Sequence, residues 1–141
     1  MSLSFSGSVE LGRFTLEADF GCEPGETIAL VGPNGSGKST ALTTMAGLRR
    51  LSTGSLAADG TTFDDTRAWV SPEQRRLGMV FQDILLFPHL SVLDNVAYGP
   101  RRSGRPAAQA RSVALQLLER FGVADLAHVR PRTLSGGQAQ R

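Results

Sequence analysis

Cysteine, lysine, tryptophan and tyrosine each occur once in this 141-residue chain, and histidine twice. The lone Cys22 excludes an internal disulfide and a cysteine-rich zinc site. No apolar run approaches the ~18–20 residues that a membrane span needs. The opening Met1-Ser2-Leu3-Ser4-Phe5 has no basic stretch and no long apolar core, so no signal peptide is expected. A dominant charge is lacking too. Fifteen basic against thirteen acidic residues leave a net charge of +2, which gives no electrostatic footprint for nucleic acid. Fourteen of the basic residues are arginine, and Lys38 is the only lysine. The doublets Arg49-Arg50, Arg75-Arg76 and Arg101-Arg102 are scattered along the chain and read as solvated surface. With 20% charged and 40% hydrophobic residues, the balance is that of an ordinary soluble globular domain, expected in the cytosol.

What is present is organised by short apolar runs and glycine-rich turns. Leu3 to Phe5 and Phe14 to Phe20 read as short strands about a polar turn at Gly12, and Gly21 to Gly25 as a turn containing Pro24. Thr27-Ile28-Ala29-Leu30-Val31 is continuously apolar, the pattern of a strand buried on both faces. A helix is expected from Ser39 to Ala46 with Gly47 as its stop, a hairpin between Gly54 and Asp65, and another apolar strand from Leu77 to Phe81. Ser91 precedes a short helix with Asp94 three residues on, a capping-box variant. After Pro106, residues Ala110, Val113, Ala114, Leu117, Leu118 and Phe121 form one helical stripe that Gly122 ends. Ser135 then caps a final helix, with Gln138 at the reciprocal position. Trp69 is expected to pack under the Pro72 turn, and Cys22 and Met45 to fill space.

Chemistry concentrates in two places. Gly32-Pro33-Asn34-Gly35-Ser36-Gly37-Lys38-Ser39-Thr40 matches the phosphate-binding pattern G-x-x-x-x-G-K-[ST]. Glycines let backbone N–H groups converge on phosphate oxygens. Lys38 would neutralise the β- and γ-phosphates, and the Ser39 hydroxyl would hold Mg²⁺. The helix that follows points its positive end at the same anion. The second place is Leu134-Ser135-Gly136-Gly137-Gln138. Its glycines and the Ser135 hydroxyl form another potential anion contact, although an ordinary capped helix start explains it locally. One subunit seldom needs two such sites for one triphosphate, so the second is best read as serving a nucleotide held by another copy.

Taken with their order, these residues resemble the ATP-binding cassette transporter ATPases. Gly32 to Thr40 resembles their Walker A loop, Val80-Phe81-Gln82-Asp83 their Q-loop, and Leu134 to Gln138 their signature motif. Leu86-Phe87-Pro88-His89-Leu90-Ser91-Val92 resembles the following segment of bacterial importers. Within the family, Phe14 to Phe20, Glu73 to Gly78 and Leu86 to His89 resemble the molybdate-importer type most, while sulfate, iron and polyamine importers share much of this. A guanine-nucleotide enzyme is disfavoured, because no Asn-Lys-x-Asp base-reading motif occurs.

The resemblance implies an α/β phosphate-loop ATPase core with a parallel sheet, an antiparallel β-region first, and a small helical subdomain. The expected division is a nucleotide-binding core at 1–85, helices at 86–133 and the start of the signature helix at 134–141. It implies ATP and Mg²⁺ as cofactors, with Lys38 and Gln82 catalytic and Ser39 and Gln82 on the metal. Gly32 to Thr40 and Ser135 to Gln138 would bind nucleotide, the latter group across a homodimer. Membrane-spanning permease subunits would be met near Asp83 to Val92, placing the protein peripherally on the cytoplasmic face of the membrane. Nucleic acid is not an expected partner. The position where relatives stack an aromatic on adenine falls near Leu11, with Val9 and Phe14 as alternatives. The family's Walker B carboxylates, D-loop and switch histidine have no counterpart among these residues, since His89 and His128 both precede the signature. These residues alone are therefore expected to bind nucleotide without hydrolysing it, to be poorly stable, and to be followed in the gene by further coding sequence.

Overall fold

A computed structural model describes residues 1–83 and 85–141, which group into two units, Met1–Met79 and Val80–Arg141. Ile84, inside the Asp83–Val92 segment expected to meet a membrane partner, lies outside the described residues.

The first unit is built on a four-stranded antiparallel sheet of order β2-β1-β3-β4, formed by β1 (Leu3–Leu11), β2 (Phe14–Cys22), β3 (Thr53–Ala58) and β4 (Thr61–Asp64). β1 runs well past the expected Phe5 because its whole length pairs in register with β2, from Leu3 opposite Cys22 to Leu11 opposite Phe14. Period-two alternation sends Phe5, Val9, Leu16, Leu56, Ala58 and Phe63 to one face, where they form the core. Phe5 and Leu56 are fully buried, and the Phe5 ring stacks on Phe20 at 5.2 Å. Asp59 and Gly60 close the expected β3–β4 hairpin with positive φ, as a tight two-residue turn requires. Gly7 and Gly54 face each other across β1 and β3; a Cβ on Gly54 would strike Ser6 O and Gly7 Cα.

Helix α1 (Lys38–Met45) packs on this sheet through Ala41, and the chain leaves it through Gly47 at φ 82. The Gly47 N–H donates to Thr44 O and the Leu48 N–H to Thr43 O, a glycine-terminated helix end.

Two expectations fail here. Thr27–Val31 and Leu77–Phe81 form no strand, and among the described residues every ladder of the sheet is antiparallel. Apolar character favours an extended chain, but a strand exists only where a neighbour supplies ladder partners. β1 to β4 pair with one another, and neither segment joins the ladder at either edge of the sheet. Val31 is 89% exposed and Val80 97%, the reverse of the burial their patterns suggest.

Arg75 is also corrected. Arg75 is 2% exposed, not solvated, while Arg76 beside it is exposed at φ 53. Trp69, 42% exposed, bridges to Asp64, and the Arg50 guanidinium lies 5.9 Å from the Trp69 ring centroid.

The second unit pairs α2 (Val92–Arg102) with α3 (Ala107–Arg120). Ala97, Ala110 and Ala114 are all fully buried at their crossing, where small side chains allow close approach. Val92, Leu118, Val123 and Ala127 form the remaining core. Of the expected stripe of α3, Ala110, Ala114 and Leu118 are buried, Val113 and Leu117 are half-buried, and Phe121, past the last helical turn, is 56% exposed. Ser91 caps α2 by accepting from the Asp94 N–H at 3.1 Å. The Val92 and Leu93 N–H groups donate to Val129 and Ala127 carbonyls, so this helix start is satisfied by the chain itself.

Asp94 accepts from Arg111 Nη2 at 2.9 Å and from the Ser91 hydroxyl at 3.0 Å. These bonds hold its carboxyl below the ordinary carboxylate range. Because the folded value is depressed, the stability from this pairing is present above the unfolded pKa of ~3.9 and is lost as pH falls through the folded value. Thermal melts from pH 7 to pH 2.5 should show Asp94→Asn less stable than the parent at neutral pH. The two curves should converge in acid.

Candidate functional site

Gly32 to Thr40 form one connected loop and helix start. Lys38 opens α1, and its ammonium turns back into the loop, donating to Gly32 O and Pro33 O at 2.8 Å each and to Ser36 Oγ at 3.4 Å. The sole lysine of the chain is thus half-buried inside the loop that its motif predicts. Gly37 stands at φ 95, a left-handed conformation costly to any residue with a Cβ. A Cβ there would also fall 2.8 Å from Leu16 Cδ1 and 3.1 Å from Phe14 Cζ. The loop therefore seats directly on β2.

This arrangement suits a polyphosphate. Asn34, Gly35 and Ser36 are exposed around the ammonium, so an anion can approach without displacing core. Ser39 is exposed at the helix start, and its hydroxyl is a hard oxygen donor appropriate to Mg²⁺. Among the described residues no three His, Cys, Asp or Glu side chains cluster as a metal site. Such an ion would take most of its ligands from phosphate oxygens and water. Beside the loop, a groove of ≈ 360 Å³ is lined by Leu16, Phe20, Leu30, Val31 and Lys38.

Of the three adenine-side candidates, Val9 is removed because it is 2% exposed in the sheet core. Leu11 and Phe14 face each other at the end of the β1–β2 hairpin, both half-buried, and Phe14 is the one whose ring reaches Gly37.

Gln82 and Asp83 are exposed at the start of the second unit, whereas Lys38 belongs to the first. Within the second unit Ser135 to Gln138 come together as anticipated at the start of α4 (Gly136–Gln140). The Ser135 N–H donates to Gln138 Oε1 at 2.9 Å, and the Gln138 N–H donates to Ser135 Oγ at 3.3 Å, a complete capping box. The Ser135 O–H keeps its own proton to donate. Around Gly136 and Gly137 there is open space.

Asn95 is a residue the sequence reading missed. Its side chain accepts from the Phe87 N–H at 2.7 Å and donates to Phe87 O at 3.1 Å and Ser91 O at 2.9 Å. One amide thus holds the Phe87 backbone against α2. The Phe87 ring, 39% exposed, lies 4.6 Å from Tyr98 and edge-on to His89 at 6.1 Å. An Asn with apolar neighbours in the first turn of a helix was the available signal.

The glycine loop, the Lys38 ammonium turned into it and the helix start together form a phosphate-loop arrangement. Residues 16–141 match the ABC transporter domain family, and the chain belongs to that family. It is 46% identical over 132 residues to the molybdenum import ATP-binding protein ModC of Mycobacterium tuberculosis (strain CDC 1551 / Oshkosh), covering 89% of this chain and 36% of the relative. The ModC of Rhodobacter capsulatus is 44% identical over 142 residues, covering 100% and 38%. The glutamine transport ATP-binding protein GlnQ of Escherichia coli (strain K12) is 41% identical over 124 residues, covering 87% and 52%. The chain therefore spans 36% to 52% of the length of these curated relatives.

Replacing Gly37 by Ala should cost about 1–2 kcal/mol from its backbone conformation alone. Contact with Leu16 and Phe14 should add to that cost. Urea denaturation should read a lowered midpoint, and nucleotide titration a weakened ATP affinity.

Proposed function

We propose that this chain binds MgATP at Gly32 to Thr40 as the ATP-binding part of an ABC importer. The observation that carries the reading is the Lys38 ammonium, held within a glycine loop at the start of a helix in a chain of this family. In this reading Lys38 neutralises the β- and γ-phosphates, Ser39 and Gln82 contact Mg²⁺, and Gln82 also reaches the attacking water. Phe14 or Leu11 borders the base. Ser135, Gly136, Gly137 and Gln138 complete the ATP site of a second copy, a role supported by the open space at the two glycines. The exposed Phe87, His89 and Tyr98 group supports contact with a membrane-spanning permease along Asp83 to Val92. Among the described residues no helix is long and apolar enough to cross a membrane. A peripheral position on the cytoplasmic face, held through that permease, accords with this. ATP hydrolysis in the assembled transporter would drive uptake of a small oxyanion such as molybdate. The two ModC relatives support that substrate. GlnQ, nearly as similar, supports an importer of another solute as the second reading.

Because Lys38 is the only lysine, an amine-reactive reagent should modify it and the N-terminus alone. Saturating MgATP should protect Lys38 several-fold and leave N-terminal labelling unchanged, as read by mass spectrometry. Equal labelling of Lys38 with and without ATP would overturn the proposal.

A further inference from the structure

We infer that Arg75 is a positioning residue for nucleotide binding: its buried guanidinium pins the far end of the helix that carries Lys38. The inference rests on the nucleotide-binding reading of the loop and deepens it.

Arg75 spends its donors on four backbone carbonyls from three parts of the first unit. Nη1 donates to Thr44 O at 2.7 Å and Met45 O at 2.9 Å, in the last turn of α1. Nε donates to Val70 O at 2.8 Å, and Nη2 reaches Phe63 O on β4 at 3.3 Å. The guanidinium also lies over the Phe63 ring, 5.4 Å from its centroid. Helix ends leave carbonyls without intrahelical donors and carry partial negative charge. A guanidinium answers both needs, and its planar fork serves several acceptors at fixed angles as an ammonium cannot. Burying it is costly, and burial pushes its pKa down while the buried Asp64 carboxylate opposes that shift.

The placement matters because α1 is otherwise held at its start, where Gly37 seats on β2, and through Ala41. Its eight residues, Lys38–Met45, bury only Ala41 and Thr44. A helix of that length has no stability of its own. It is also a short rod of ~12 Å, so with the far end released a ~10° tilt would shift one end relative to the other by ~2 Å. Hydrogen bonds operate over 2.7–3.2 Å and do not survive such a shift. Gly47 confirms how tightly the pin is fitted, since a Cβ there would fall 2.7 Å from Arg75 Nε.

The test uses the full chain with two readouts: hydrogen exchange of the α1 amides without nucleotide, and affinity for a fluorescent ATP analogue with Mg²⁺. Arg75→Lys keeps the charge and loses the fork; Gly47→Ala keeps Arg75 and crowds it, and serves should Arg75→Lys not fold. Gly60→Ala, in the β3–β4 turn where an added Cβ would meet nothing within 4 Å, is the control for general destabilisation, compared at equal folded fraction. The expected result is about tenfold weaker ATP binding and at least tenfold faster α1 exchange in Arg75→Lys, with Gly60→Ala within twofold of the parent in both. Affinity and exchange within twofold of the parent in Arg75→Lys, or equal losses in Gly60→Ala, would overturn the inference. If the parent itself binds no ATP, the nucleotide reading fails separately. Exchange then decides the pin, with unchanged α1 amides overturning it and selective acceleration of α1 sustaining it.

Discussion

The close seating of Gly37 on β2 is the contact on which the first unit depends. It sets the distance between the sheet and α1, because Leu16 and Phe14 occupy the space that any side chain at 37 would need. That distance lets Ala41 reach the core made by Phe5, Val9, Leu16 and Leu56. The same residue turns the loop through a left-handed conformation, which brings the Lys38 ammonium onto the Gly32 and Pro33 carbonyls. Packing and site are therefore one constraint. A loop free of the sheet would have no reason to hold its lysine there.

The second unit obeys a different economy. Its helices meet through alanines and are closed by polar devices at their ends: the Ser91 cap, the Asn95 clasp on Phe87 and the Ser135–Gln138 box. Several of these sit at or beside segments proposed to meet partners. Local polar bonding can hold such segments in shape while leaving their apolar rings, Phe87 and Tyr98 among them, at the surface.

What was legible in the sequence was whatever is decided within a few residues. The phosphate loop, the Gly47 and Gly122 stops, the hairpin between Gly54 and Asp65 and both serine caps are set by dihedral freedom and short-range hydrogen bonds, and all were readable. Thr27–Val31 misled because an apolar run states a preference for extension and burial without naming a partner strand. Arg75 misled for a related reason. Beside Arg76 it looks like a solvated doublet, and nothing local reports that the carbonyls of Thr44 and Met45, some thirty residues earlier, will need its donors. The Phe14 ring reaches Gly37 through hairpin register, which spacing along the chain does not encode.

The facing pair Gly7 and Gly54 bears on how this sheet can drift over evolutionary time. Cross-strand neighbours usually covary, since a larger side chain on one strand is accommodated by a smaller one opposite. Here the obstacle to a side chain at either position is main chain: Thr53 O for Gly7, and Ser6 O with Gly7 Cα for Gly54. No replacement at the partner can relieve it. The pair should stand in a family alignment as two invariant columns that are adjacent in space yet carry no mutual information, a contact invisible to covariation and apparent only from the backbone.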